Sequence, residues 1–146
     1  MAETNPRIAT IDPVWNRIRE EAFEMVQAEP LLGGLAHSSQ QHHATLERAL
    51  AYRFSLKLAS GEMSEQILRE IADEAYESDP DLGQAARADV TAVYDRDPAC
   101  LRFIQPMLFF KGYQAFQAYR VGHWLWQQGR KDFAYFVQMR VSEVFG

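Results

Sequence analysis

Few residues in this chain could do chemistry: two aspartates in distinctive surroundings, Asp89 and Asp97, and four histidines. Asp97 precedes Pro98, and a residue before proline is pushed out of the α region into extended backbone. That puts it at a turn from which its carboxylate can project. Two roles suit it: capping a following helix, or accepting the ammonium group of an amino-acid substrate, a natural job for an unpaired acid on a loop. Asp89 falls on the edge of an otherwise apolar helical stripe. A carboxylate there needs partners, because a buried unpaired charge is costly. A structural role is expected, with an arginine or backbone amides holding it.

The histidines do not assemble into a metal site. His42 and His43 are adjacent, and neighbours on a helix point about 100° apart, so they cannot share a face. No H-x-x-x-H pair exists, and Cys100 has no second cysteine to complete a zinc site. His123, in Gly122-His123-Trp124, reads as a hydrogen-bonded core or interface residue before it reads as a general base. No G-x-S-x-G elbow, P-loop or dinucleotide fingerprint appears. The residues nominate no catalytic group, no metal and no bound cofactor within this chain.

The elements that must position these groups are helical throughout. A period of 3.6 runs along nearly the whole sequence, and no segment alternates long enough to propose a strand. Asp12-Pro13 is a cap with a first-turn proline, opening a helix that carries Val14, Trp15, Ile18, Ala22, Met25 and Val26 on one stripe and stops at Glu29-Pro30. Gly33-Gly34 marks a break. The next helix is expected to start near Ser38 or Ser39 and run to Ala59, its first half polar all round. Ser64 caps a third helix, with Met63 and Leu68 at the spacing of a hydrophobic staple. Asp79-Pro80 opens the helix that carries Asp89, and Arg96-Asp97-Pro98 forms the turn after it. Gln105-Pro106 is expected to start the longest helix, ending at Gly129, with a last helix over about Lys131 to Val144. The fold class is all-α: one compact bundle of about six to eight helices joined by short connections. Residues 1–146 form a single domain, with 1–10 read as a flexible tail.

Composition excludes several classes. The chain has 146 residues, 47% of them apolar, and a formal net charge of −5. It can bury roughly two-thirds of its unfolded surface. Acidic residues dominate, and Arg120, Arg130, Lys131 and Arg140 are too dispersed to track phosphates, so no nucleic-acid partner is expected. The apolar stretch from Met107 to Trp126 is interrupted by Lys111, Arg120 and His123, which argues against a membrane span. A single cysteine and an amino terminus without an apolar signal core point to the cytoplasm.

Two long blocks resemble one family. Asp89-Val90-Thr91-Ala92-Val93-Tyr94-Asp95-Arg96-Asp97-Pro98-Ala99 resembles the D-(I/V)-x-A-V-x-x-R-D-P-A segment of serine O-acetyltransferases. Lys111-Gly112-Tyr113-Gln114-Ala115-Phe116-Gln117-Ala118-Tyr119-Arg120-Val121-Gly122-His123-Trp124-Leu125-Trp126 is similar to that family's K-G-(F/Y)-x-A-x-Q-A-(Y/H)-R-(I/V)-(A/G)-H-W-L-W block. The tail Val141 to Gly146, Val14-Trp15 and Asp73-Glu74-Ala75-Tyr76 fit too. The resemblance implies an amino-terminal helical domain whose family transfers the acetyl group of acetyl-CoA to L-serine in cysteine biosynthesis. It also implies a hexamer of paired trimers joined through helical domains. Asp97 takes the position of the family aspartate that helps hold serine, or the inhibitor cysteine, while Asp89, Arg96 and His123 are supporting residues.

The sequence stops at Gly146, before any hexapeptide repeat of the family's β-helix. The catalytic histidines, the acetyl-CoA site and the tail that docks into cysteine synthase are therefore expected outside it, and the chain alone is expected to be inactive. The polar stretch Ser38 to Thr45 and the apolar Leu101 depart from the family pattern. Two other readings stand beside this one: a helical interaction module without catalysis, and an independent helical enzyme using Asp89, Asp97 and His123.

Overall fold

The computed structural model describes residues 12–37 and 43–146. Among them the chain forms α-helices and one 3-10 turn, with no strand: α1 (Pro13–Ala28), the 3-10 turn Pro30–Leu32, α2 (Gly33–Ala36), α3 (Leu46–Leu58), α4 (Glu65–Ser78), α5 (Pro80–Arg96), α6 (Ile104–Phe109), α7 (Lys111–Gln127) and α8 (Lys131–Phe145). The all-α expectation holds. The tail at 1–10 and the segment Ser38–His42 lie outside the described residues.

Local chemistry explains most helix ends. Asp12 Oδ1 accepts the Trp15 amide at 3.1 Å, Ser64 Oγ accepts that of Ile67 at 3.3 Å, and Asp79 Oδ1 accepts that of Asp81 at 3.1 Å. Each satisfies a first-turn donor that has no intrahelical partner. Gly129, at φ 78°, is the left-handed residue that ends α7. The Arg130 amide then reaches Leu125 O and the Gly129 amide reaches Trp126 O, both at 3.0 Å, which is a Schellman closure.

Two expected boundaries are corrected. The second long helix begins at Leu46, not near Ser38, because Thr45 is extended (φ −138°, ψ 159°) and its hydroxyl accepts the Arg48 amide at 3.2 Å. The long helix expected from Gln105 to Gly129 is two helices, broken at Phe110 (φ −100°, ψ 100°). Gln114 stabilises the break: its side-chain amide donates to Met107 O at 2.8 Å, satisfying a carbonyl that the interrupted ladder leaves open.

The core lies around α3, whose Leu46, Leu50 and Leu58 are fully buried together with Ile18 of α1, Ile104 and Met107 of α6, and Leu125 of α7. Each such side chain contributes about 1.5–3 kcal/mol through removal from water. α7 and α8 form a hairpin that packs on α3, and α4 packs along α3 and also meets α7. Polar ties fix the angles between helices. Arg87 of α5 donates to Asp12 Oδ1 at 3.1 Å and Oδ2 at 2.7 Å, to Glu47 Oε1 at 2.7 Å and to Gly83 O at 2.9 Å. Burial alone would lower the Arg87 pKa, but the two carboxylates hold it well above the ordinary arginine value. Arg140 of α8 donates to Leu58 O at 2.8 Å and Ala59 O at 3.1 Å, placing a cation at the negative end of α3.

Candidate functional site

Asp97 is the residue that ends α5. Its backbone is extended (φ −98°, ψ 111°), as the following proline requires, while its amide still closes the helix on Val93 O at 2.9 Å. Oδ1 accepts the Ala99 amide at 2.9 Å, and the Asp97 carbonyl accepts that of Cys100 at 2.9 Å, so the carboxylate sits on a tight turn. Asp97 does not cap the next helix: the N-cap of α6 is Phe103, and it makes no side-chain cap bond. Among the described residues nothing occupies Oδ2. Asp97 lines a shallow cleft of about 650 Å³ with Tyr94, Asp95, Arg96, Cys100 and Leu101.

The rim of this cleft is mixed in charge. Arg96 is exposed in the last turn of α5, next to Asp97 in the sequence, and both line the cleft, which therefore carries a cation and a carboxylate. Cys100 is buried, and its thiol donates to Arg102 O at 3.2 Å; burial pushes its pKa up, which keeps the thiol protonated and unreactive. Leu101 stands 73% exposed beside it, an apolar lip on the surface turn.

The chain beyond Cys100 is fixed by side chains that the sequence did not single out. Gln105 Oε1 accepts the amides of Leu101 at 2.6 Å and Arg102 at 3.1 Å. Glu21 of α1, only 6% exposed, accepts the Phe103 amide with both oxygens at 3.1 Å. Burial raises the Glu21 pKa; the Phe103 amide and the charges of Arg17 and Arg102 pull the other way without cancelling it. The signal for Glu21 was present in the sequence. An acid one turn from Ile18, on the buried stripe of α1, asks for a partner just as Asp89 does.

The structure separates the other candidates from Asp97. Asp89 faces α7, where its Oδ2 accepts Gln117 Nε2 at 2.8 Å and Arg120 Nη2 at 3.0 Å. His123 is exposed, not in the core: it stacks on Tyr119 (ring centroids 6.1 Å apart, planes at 16°) and lines a groove between α7 and α8 with Trp126 and Tyr135. The structure therefore does not bring Asp89, Asp97 and His123 to one cleft. Among the described residues no group of three or more His, Cys, Asp or Glu side chains is placed to hold a metal ion. No helix there is long and apolar enough to cross a membrane.

The same residues tie the chain to known proteins. The family profile described as serine acetyltransferase, N-terminal, matches residues 14–118, a span that contains Glu21 and Asp97. The serine acetyltransferase of Escherichia coli (strain K12) is 42% identical over 135 residues, covering 92% of this chain and 50% of that protein. The Haemophilus influenzae enzyme is 43% identical over 136 residues, covering 93% and 51%. Among solved structures, serine acetyltransferase from Brucella abortus superposes with a TM-score of 0.89 at 42% identity, covering 92% of this chain and 55% of the other. The Neisseria gonorrhoeae enzyme solved in complex with serine does so with a TM-score of 0.88 at 44% identity, covering 91% and 55%. This chain thus spans about half the length of the curated relatives it matches. From the two sequence blocks, the helical fold and these likenesses together, the chain belongs to the serine acetyltransferase family and corresponds to its amino-terminal domain.

Proposed function

We propose that this domain serves a serine O-acetyltransferase in two ways: it offers one substrate-facing carboxylate, Asp97, and it assembles copies of the enzyme through helical surfaces. The reaction of the whole enzyme is acetyl transfer from acetyl-CoA to the hydroxyl of L-serine. The observation that carries the first role is the carboxylate of Asp97, one oxygen closing its own turn at the edge of an open cleft that Asp97 lines. A carboxylate held this way accepts a charge-assisted hydrogen bond from a substrate ammonium group with little reorganisation. Related structures give support, since serine acetyltransferases have been solved with serine, with cysteine and with coenzyme A. The general base and the acetyl-CoA contacts are assigned to a hexapeptide-repeat half outside these residues, so the chain by itself is inactive and binds L-serine or L-cysteine only weakly.

The assembly role rests on an apolar face. Phe116, Tyr119, Trp126, Tyr135 and Met139, on neighbouring turns of α7 and α8, are each between 41% and 58% exposed. Aromatic patches of this kind are characteristic of protein contacts. Fusing this chain in place of the matching half of the Escherichia coli enzyme tests both roles. The fusion should acetylate L-serine and run as a defined oligomer in light scattering, while the chain alone releases no CoA from acetyl-CoA. CoA release by the purified chain, or a fusion that folds and binds acetyl-CoA yet transfers nothing to serine, would refute the assignment.

A further inference from the structure

Asp97 is held from a distance by the first helix. Tyr94 lies in the last turn of α5, just before the loop that carries Asp97, and Phe103 is the residue that opens α6 at the loop's far end. Both rings are gripped by one side chain: the Arg17 guanidinium lies 4.8 Å from the Tyr94 ring centre and 4.0 Å from that of Phe103. The two rings meet edge to face, their centroids 4.9 Å apart. Beneath them, Glu21 pairs with Arg17 at 3.4 Å and accepts the Phe103 amide with both oxygens at 3.1 Å. That amide is one of the donors that a helix start leaves without an intrahelical partner. One ion pair on α1 thus clasps both ends of the segment on which Asp97 is mounted.

We infer that Arg17 and Glu21 are positioning residues for Asp97, fixing the turn on which its carboxylate meets the substrate. The inference rests on the reading of Asp97 as a substrate-binding group. Neither residue reaches the cleft; they act through Tyr94 and Phe103. A buried carboxylate is an expensive way to satisfy one amide, and a surface loop with no task has no need of it. The energetic logic is preorganisation: a loop already ordered loses little freedom when the ligand arrives.

Hydrogen exchange on the isotopically labelled chain reads this directly at the amides of Ala99 and Cys100, which bond Asp97 itself and lie well away from Glu21 in the sequence. Glu21→Ala should accelerate exchange at both about tenfold or more, the worth of a lost hydrogen bond to a charged group, while amides of α7 and α8 keep their protection. It should also weaken the L-serine titration followed at Asp97 severalfold. Glu21→Gln, which keeps an acceptor for Phe103, should restore both. Where Glu21→Ala unfolds the chain, Arg17→Met carries the test, since it removes the grip on the two rings and the ion pair while Glu21 still accepts the Phe103 amide. Faster exchange at Phe103 with Ala99 and Cys100 unchanged would overturn the inference, leaving Glu21 as a local cap. If L-serine moves no signal between Tyr94 and Leu101 of the unaltered chain, the substrate reading of Asp97 fails, and the exchange rates still decide whether α1 positions the loop.

Discussion

Arg87 grips Asp12 with two hydrogen bonds, 3.1 Å and 2.7 Å long, so the carboxylate that caps α1 also anchors the middle of α5. The same guanidinium reaches Glu47 of α3 at 2.7 Å. Three helices therefore converge on one cation whose side chain is only 17% exposed. Replacing Arg87 with Met should destabilise the domain by about 2–4 kcal/mol, because two carboxylates lose their partner at once. Urea denaturation followed by circular dichroism measures this. Arg87→Lys should recover only part of the loss, since an ammonium cannot serve a planar carboxylate with two parallel bonds.

Gly83 supplies a sharper test of that junction. A Cβ at this position would stand 2.5 Å from Glu47 Oε2, and Glu47 is held in place by Arg87. Alanine in mid-helix normally gains up to about 1 kcal/mol over glycine. Here Gly83→Ala should instead cost about 1–3 kcal/mol through overpacking. In a Glu47→Ala background the sign should reverse. A double-mutant cycle by chemical denaturation resolves the difference, and equal effects in both backgrounds would contradict the packing account.

The pH dependence of stability should carry two opposite contributions. Burial acts to raise the Asp12 pKa, but the Arg87 hydrogen bonds, the Trp15 amide and the Arg87 charge outweigh it, so the net shift is downward. Its contribution is present above the ordinary aspartate value and is lost as pH falls through the lowered one. Glu21 behaves the other way: its raised pKa means a contribution present below the ordinary glutamate value and lost as pH rises through the raised one. Facing Glu21 are Arg17 on its own helix, Glu24 one turn on, and Arg102 and Cys100 from the loop. Glu21→Gln should therefore gain stability relative to the parent as pH climbs through that window. Denaturation midpoints at acid and neutral pH check it, and a relative loss would contradict the burial of Glu21.

Much of the fold was legible because helix ends are written in short local patterns. Asp12-Pro13, Ser64, Asp79-Pro80 and Gly129 each solve a backbone problem within a few residues, and all four stand where their chemistry requires. The break at Phe110 was not legible, since nothing in Phe109-Phe110-Lys111 forbids a helix. What holds it is Gln114 reaching back to Met107 O, a contact that exists only once the chain has turned. Thr45 was hidden inside a polar run whose periodicity carried no stripe to mark a start. At the site, proline fixed the backbone of Asp97 in advance. The need of Asp89 for a partner, an arginine or backbone amides, followed from its place on the stripe, but Arg120 and Gln117 as those partners are a matter of how α5 and α7 pack. His123 lay on the wrong side of its helix for a core role: Trp124 and Leu125, the two residues after it, are buried in its place.

The claim on which the rest depends is that the free oxygen of Asp97 meets the substrate. Asp97→Asn keeps the shape and one acceptor for the Ala99 amide, so the fold should change by less than about 1 kcal/mol. In the fusion with the Escherichia coli catalytic half, kcat/KM for L-serine should fall about 10- to 100-fold, the worth of a hydrogen bond to a charged group, with the KM for acetyl-CoA unchanged. An unaltered kcat/KM for L-serine would contradict the account.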